Sequence, residues 1–515
     1  MIMFPDLFRF LSWYLLISLL GLVSVPVVFR FFPHLPSRGF AFARPLGLLI
    51  WGFIFWLFTS LGILQNNLGG QAVAFSGLLA VATWAAWGER IAQLKSWLRQ
   101  NTRTLLAMEL LFLGMFLFWT IIRGMNPEVA YTEKPMELAF INSILRSPGF
   151  PPQDPWLSGY AISYYYFGYV LIAMLTRATG VLSAVAFNLS SALWFALTAL
   201  AVYGIVYDLV FCWQRKKSGI AFSNAPRSPR LAGFLGPLYI LIVSTLEGAL
   251  ETLHSAGVFW KAGANGTLTS RFWTWLSIAD LDQPPQAPFS WIPSRSSGWL
   301  WWRGSRVLQD LNLDNQRIEV IDEFPFFSYL LSDLHPHVLA MPFVLIAVGL
   351  SLNLFLDPGI AQNEKGLWSW LKRPAFWLVA LVFGSLAFIN TWDFPIYVGL
   401  FCAVWGYSRY RVLGWNRGLL WEFLKNGLIL GVAGIVLYLP FYIGFSSQAG
   451  GLLPSLEFMT RGVHFWVLFG ALLVPIIAWL IFEWRSKELP IHLAKGFKVT
   501  VFLLTVLFLL MALYG

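Results

Sequence analysis

The string "SDLHPHVLAMPF" places Asp333, His335 and His337 at alternate positions just before a long apolar run. Extended backbone turns alternate side chains to one face, and one carboxylate with two imidazoles is a donor set that a divalent metal ion accepts. These three are candidate metal ligands, with hydrogen-bonded structure as the competing reading. In "TEKPMELAFINSILRS", Glu133 and Glu137 stand four residues apart and share a face if a helix starts at Pro135. A carboxylate such as Glu133 can deprotonate a hydroxyl nucleophile as a general base. Asp154 sits in "FPPQDPWLSG", where prolines hold an extended turn. Asp393 sits in "NTWDFP", a turn between two apolar runs that is too short to be a free loop. Glu133, Asp154 and Asp393 are the candidate catalytic acids.

Groups suited to binding lie nearby in the sequence. "SGYAISYYYFGYV" supplies Tyr164, Tyr165 and Tyr166, three consecutive rings with an apolar face and a polar hydroxyl, as candidate binding residues. On a helix these three fan over about 200° and cannot share one face. "GWLWWRGSRV" sets Arg303 and Arg306 beside tryptophans, as a lipid phosphate at a membrane interface requires. The competing reading is an aromatic belt with snorkelling arginines. Glu247 and Glu251, one helical turn apart, are expected to border the same site.

The elements that must position these residues are membrane helices. Hydrophobic residues make up 58% of the 515-residue chain and charged residues only 12%, far below the quarter or so usual for soluble globules. Apolar runs long enough to cross about 30 Å of hydrocarbon recur throughout, without the short alternation of a barrel. The expectation is an all-α, polytopic helix bundle, read as a single transmembrane domain. Its spans fall near 8–31, 46–65, 71–88, 105–123, 184–212, 231–252, 336–356, 374–391, 395–408, 424–445, 463–483 and 497–514. That makes about 12, the first being an uncleaved signal anchor. Cys212 and Cys402 lie in or beside apolar runs and suggest neither a disulfide framework nor a zinc site. The net charge of +10 does not mark a nucleic-acid binder, because the bases sit between spans.

Six connections (30–45, 89–104, 213–230, 357–373, 408–420 and 484–498) hold 22 of the 35 Lys and Arg residues and should face the cytoplasm. This alternates only if one of the two stretches 161–178 and 184–212 does not cross. The shorter is therefore expected to be an interfacial or partly inserted helix on the outer face, where tyrosine is favoured. Two long outer loops remain, 124–183 and 253–335. With the shorter outer turns, including the one holding Glu457, they collect fourteen acids, which argues for a site on the extracytoplasmic side of a multi-pass cell-membrane protein. Glu109, Asp208 and Glu247 fall inside apolar runs, where an acid must be paired or face a cavity.

"EKPMELAFINSILRS", "FPPQDPWLSGYAISYYYFGY", "EFPFFSYLLSDLHPHVLAMPF" and "NTWDFP", in that order over about 265 residues, resemble the YYY-domain membrane proteins of Chloroflexi and some archaea. That family is distantly similar to the GT-C membrane glycosyltransferases, which use polyprenyl-phosphate sugars as donors. The resemblance implies an acid-bearing first outer loop with juxtamembrane helices, with Glu133 as the essential acid and Asp154 as the second. It also implies further spans and a basic-aromatic segment beyond "FLLMALYG", so the chain is expected to be a truncated piece. The expected function is sugar transfer from a lipid-linked donor, aided by a divalent ion or by Arg303 and Arg306 at the leaving phosphate. Membrane lipids, the donor and partner membrane proteins are the expected associates. Two readings compete: a transporter or channel relaying ions through Glu109, Asp208 and Glu247, and a non-catalytic subunit of a membrane complex.

Overall fold

The computed structural model describes residues 4–218, 227–294, 298, 300–311, 314, 316–360, 367–446, 460–486 and 493–514; Glu457 lies outside them. Helices follow in the order α1 (Phe4–Phe31), α2 (Ala43–Ser60), α3 (Leu68–Ala86), α4 (Arg90–Met125), α5 (Lys134–Arg146), α6 (Phe167–Thr179), α7 (Ser183–Ser218), α8 (Arg227–Ala232), α9 (Leu235–Pro237) and α10 (Glu247–Ser255). Then come α11 (Arg271–Leu276), α12 (Pro325–Leu331), α13 (Pro336–Phe355), α14 (Pro374–Ile389), α15 (Asp393–Leu413), α16 (Arg417–Leu437), α17 (Leu439–Gly444), α18 (Gly462–Ser486) and α19 (Leu493–Tyr514). The described strands are two short antiparallel pairs, 261–262 with 268–269 and 309–311 with 317–319. The expected all-α, multi-pass bundle is therefore the architecture found.

Nine helices among the described residues are long and apolar enough to cross a membrane. The expected span at 231–252 is interrupted, helical to Ile242 and again from Glu247. The expected spans at 374–391 and 395–408 correspond to α14, a shorter apolar helix, and α15.

The chain divides into two compact units. One comprises Met1–Ile240 and Ser332–Ser447, the other Leu241–Leu331 and Gln448–Gly515. In the first unit, close approach of helices depends on small residues, as is usual where lipid offers no hydrophobic drive to association. A Cβ on Gly384 of α14 would sit 2.8 Å from the carbonyl oxygen of Gly434 on α16, so any side chain there would force the two backbones apart. A Cβ on Gly47 of α2 would likewise meet the Leu20 carbonyl of α1 at 2.6 Å.

The tyrosine segment departs from expectation. Tyr164, Tyr165 and Tyr166 precede α6 instead of forming part of it, so the helical fan does not apply. Phe167 to Thr176 are all buried, so α6 packs inside its unit. Its thirteen residues extend about 20 Å, less than the hydrocarbon thickness, and their uninterrupted apolar run is satisfied by neighbouring helices.

In the second unit a small core of Trp273, Leu276, Ile278, Leu281, Val307 and Val467 ties the loop region to α18. Most of α18 and all of the apolar window of α19 are exposed. Cys212 and Cys402 are both free.

Candidate functional site

Pro135 in the first turn of α5 fixes the start of that helix, with Glu133 as its N-cap and Glu137 one turn further on. Glu137 is fully buried. Its Oε2 accepts the Leu334 backbone N–H at 2.7 Å, while its Oε1 has no hydrogen-bond partner among the described residues. Burial pushes its pKa up to about 8, opposed by the Leu334 N–H and reinforced by the charge of Asp333. The Leu334 carbonyl accepts the Tyr169 hydroxyl of α6 at 3.0 Å, so the backbone between Asp333 and His335 is held on both sides.

Asp333 is buried as well, and its Oδ1 accepts the Thr132 hydroxyl at 2.7 Å. Thr132 and the preceding Tyr131 both have left-handed backbone, with φ of 50° and 64°, a conformation non-glycine residues adopt at some cost. Burial raises the Asp333 pKa above the ordinary carboxylate value, against the pull of Thr132, His335 and Lys134. Lys134 is lowered by its own burial. The His335 Nε2 lies 3.3 Å from Oε2 of Glu133 and 3.4 Å from Oδ2 of Asp333. Of the two carboxylates on that imidazole, Glu133 has a side chain 54% exposed and Asp333 only 3%. The arrangement is a buried acid and a solvent-facing acid that share one imidazole nitrogen, beside a buried carboxyl with one open oxygen.

His337 completes the group from the first turn of α13. Its ring centroid is 5.6 Å from that of His335. Asp393, at the start of α15, accepts the Asn390 side-chain N–H at 3.0 Å. The extended alternation read from "DLHPH" ends at Pro336, where α13 begins. Ligand atoms of Glu133, Glu137 and His335 lie within 4.8 Å of one another. Two carboxylates and an imidazole suit a hard or borderline divalent ion.

Other expected site residues have partners of their own. Asp154 accepts the N–H groups of Trp156 and Leu157 at 2.7 and 2.9 Å, which makes it the cap of its own turn. Tyr166 is buried, accepts the Trp56 Nε1–H at 3.3 Å and packs edge-on against Phe388, so it belongs to the core. Tyr165 packs against Phe445. Tyr164 is half-buried against Phe140, and its hydroxyl, pushed up to about 12 chiefly by burial, feels Glu133 and Glu137; it is the one of the three that borders the acids.

In the second unit, Arg303 lies 3.3 Å from Glu251 and 3.6 Å from Asp280, and the Arg306 guanidinium stacks 3.6 Å from the Trp302 ring centre. Both arginines are thus engaged by groups of their own unit. Glu247 is buried beside Glu251.

Glu109 and Asp208 are answered inside the first unit. Arg44 reaches Glu109 at 2.5 Å, joined by the Tyr14 hydroxyl at 2.7 Å. Asp208 accepts both the N–H and the hydroxyl of Ser37 at 2.7 Å.

Sequence reasoning noted that Glu137 shares a face with Glu133 but did not count it as a ligand; the four-residue spacing was the available signal. Thr132 and Lys134 carried no comparable signal, because their roles depend on Asp333, about two hundred positions away. No curated protein and no solved structure matches the chain. The family model described as "Uncharacterized membrane protein (DUF2298)" matches residues 50–515, a range that includes every site residue above, and the chain belongs to that family of membrane proteins.

Proposed function

We propose that this protein is a membrane glycosyltransferase of GT-C-like plan, moving a sugar from a polyprenyl-phosphate donor to a hydroxyl acceptor on the extracytoplasmic face. The YYY-type motifs support the reading, and one observation carries it: the half-exposed Glu133 carboxylate and buried Asp333 both lie against Nε2 of His335. In the reaction the bond from the sugar anomeric carbon to the phosphate oxygen breaks and a bond to the acceptor oxygen forms. The acceptor proton passes to Glu133, and the polyprenyl phosphate departs with the bonding pair. His335 and Asp333 orient Glu133 for this role.

The open Oε1 of Glu137 favours a second version in which the same atoms bind a divalent cation. Glu133, Glu137 and His335 would hold it, and it would supply Lewis-acid stabilisation of the leaving phosphate. The saturated partners of Glu109 and Asp208 argue against an ion relay through the spans.

Glu133→Gln keeps the side-chain size and removes the base, so transfer from a radiolabelled lipid-linked sugar should fall by roughly 10²–10⁴-fold with thermal stability unchanged. Full transfer by this variant would exclude the assignment. Strong inhibition of the wild type by a chelator, reversed by a divalent ion, would select the metal-holding version.

A further inference from the structure

Beside the carboxylate cluster lies a cation that the mechanism above does not use. Arg123, in the last turn of α4, is 4% exposed. Its Nε and Nη2 both donate to Oδ1 of Asn188 on α7, at 3.1 and 2.8 Å, and the Asn188 amide donates onward to the carbonyls of Pro127 and Ala184. Asn188 is neutral, so it fixes the guanidinium without answering its charge. No carboxylate among the described residues lies within 4.0 Å of Arg123, and its Nη1 makes no hydrogen bond among them. Asp333 and Lys134 act on it electrostatically from farther away. A buried, unpaired charge is costly unless something pairs with it.

Arg123 forms part of the wall of a cavity of about 540 Å³ between the start of α1, the end of α4 and the start of α7. The remaining wall is largely apolar, including Phe10, Leu117, Ile121, Val185 and Leu189. Leu117 and Ile121 are exposed on spanning helix α4, so in a membrane the slot is open to lipid. Arg9, on the rim, is already paired with Asp6 at 2.8 Å.

An apolar slot ending at an unanswered guanidinium fits an amphiphile with an apolar chain and an anionic head. We propose that this slot seats the lipid carrier, with an isoprenoid chain against Leu117 and Ile121 and its phosphate on the open Nη1 edge of Arg123. The identity of the lipid rests on the glycosyltransferase reading. The position supports a donor over a bulk lipid, because the fields of Asp333 and Lys134 both reach Arg123 and an anion held there is a neighbour of the reacting carboxylates. Arg123, and not Arg303 or Arg306, then receives the phosphate.

The test is native mass spectrometry of the full chain in detergent, titrated with a polyprenyl monophosphate, with phosphatidylglycerol and with inorganic phosphate. Polyprenyl phosphate should bind best. Arg123→Gln should weaken it by about 10- to 100-fold, the value of a charge-assisted contact, and Arg123→Lys by less. Ile121→Trp changes an exposed position, leaves the guanidinium intact and should block the chain, weakening binding as well. Unchanged binding in both Arg123→Gln and Ile121→Trp would overturn the proposal. So would phosphatidylglycerol binding equally well, or displacement of the lipid by inorganic phosphate. Arg123-dependent binding by a protein with no transferase activity would retain this site and remove the glycosyltransferase reading. Glu133-dependent transfer indifferent to Arg123 and Ile121 would do the reverse.

Discussion

Two kinds of buried polar group occur in the first unit, and they are built differently. Arg44 with Glu109 and Tyr14, and Asp208 with Ser37, are closed sets in which each acid meets donors from other segments of the unit. The cluster of Glu133, Glu137, Asp333 and His335 is open: one of its carboxylates is half-exposed and another keeps an oxygen without a partner. Closed sets fasten helices together. Open sets leave room for a substrate or an ion, at a cost in stability that the surrounding packing must offset.

The comparison would be broken most directly at Arg44. Arg44→Met should destabilise the protein by about 3 kcal/mol, because Glu109 is left without its cation. Adding Glu109→Leu should recover much of that loss. Thermal unfolding in detergent measures both, and a double variant no better than the single would mean that Arg44 acts by packing alone. Asp208→Asn should cost about 1–3 kcal/mol, since the amide nitrogen cannot accept one of the two Ser37 donors.

The open cluster should respond to pH through Glu137. The pKa of Glu137 is about 8 in the folded protein against an ordinary value of 4.5, so between those values the folded chain holds a proton that the unfolded chain has lost. Its contribution to stability is full below about pH 4.5 and is lost as pH rises through 8. With a chelator present, the melting temperature of the wild type relative to Glu137→Gln should therefore fall from pH 5 to pH 9. A flat difference would mean that Glu137 is ionised throughout. The smallest effect is expected at Asp154, which only caps a turn. Asp154→Ala should cost about 1 kcal/mol or less and leave transfer intact, and loss of activity there would return Asp154 to the site.

Hydropathy and composition were enough to establish a membrane-spanning all-α chain, because the cost of exposing backbone to lipid leaves a long apolar run few alternatives to helix. Local chemistry was legible as well: Pro135 marks the start of α5 and the four-residue spacing places Glu133 and Glu137 together. Which acids became a site was not legible. Asp154 and Asp333 look alike in sequence, yet one turns its carboxylate onto the backbone two and three residues ahead while the other is buried against Thr132. Tyr164 and Tyr166 are two positions apart in one string, yet one borders the acids and the other fills the core. Arg123 gives no local sign that its nearest hydrogen-bond acceptor is an amide 65 residues away and not a carboxylate. Periodicity and capping depend on neighbours along the chain, so the sequence alone determined them. Partnership depends on which helix ends packing brings together, and only the tertiary structure decided that.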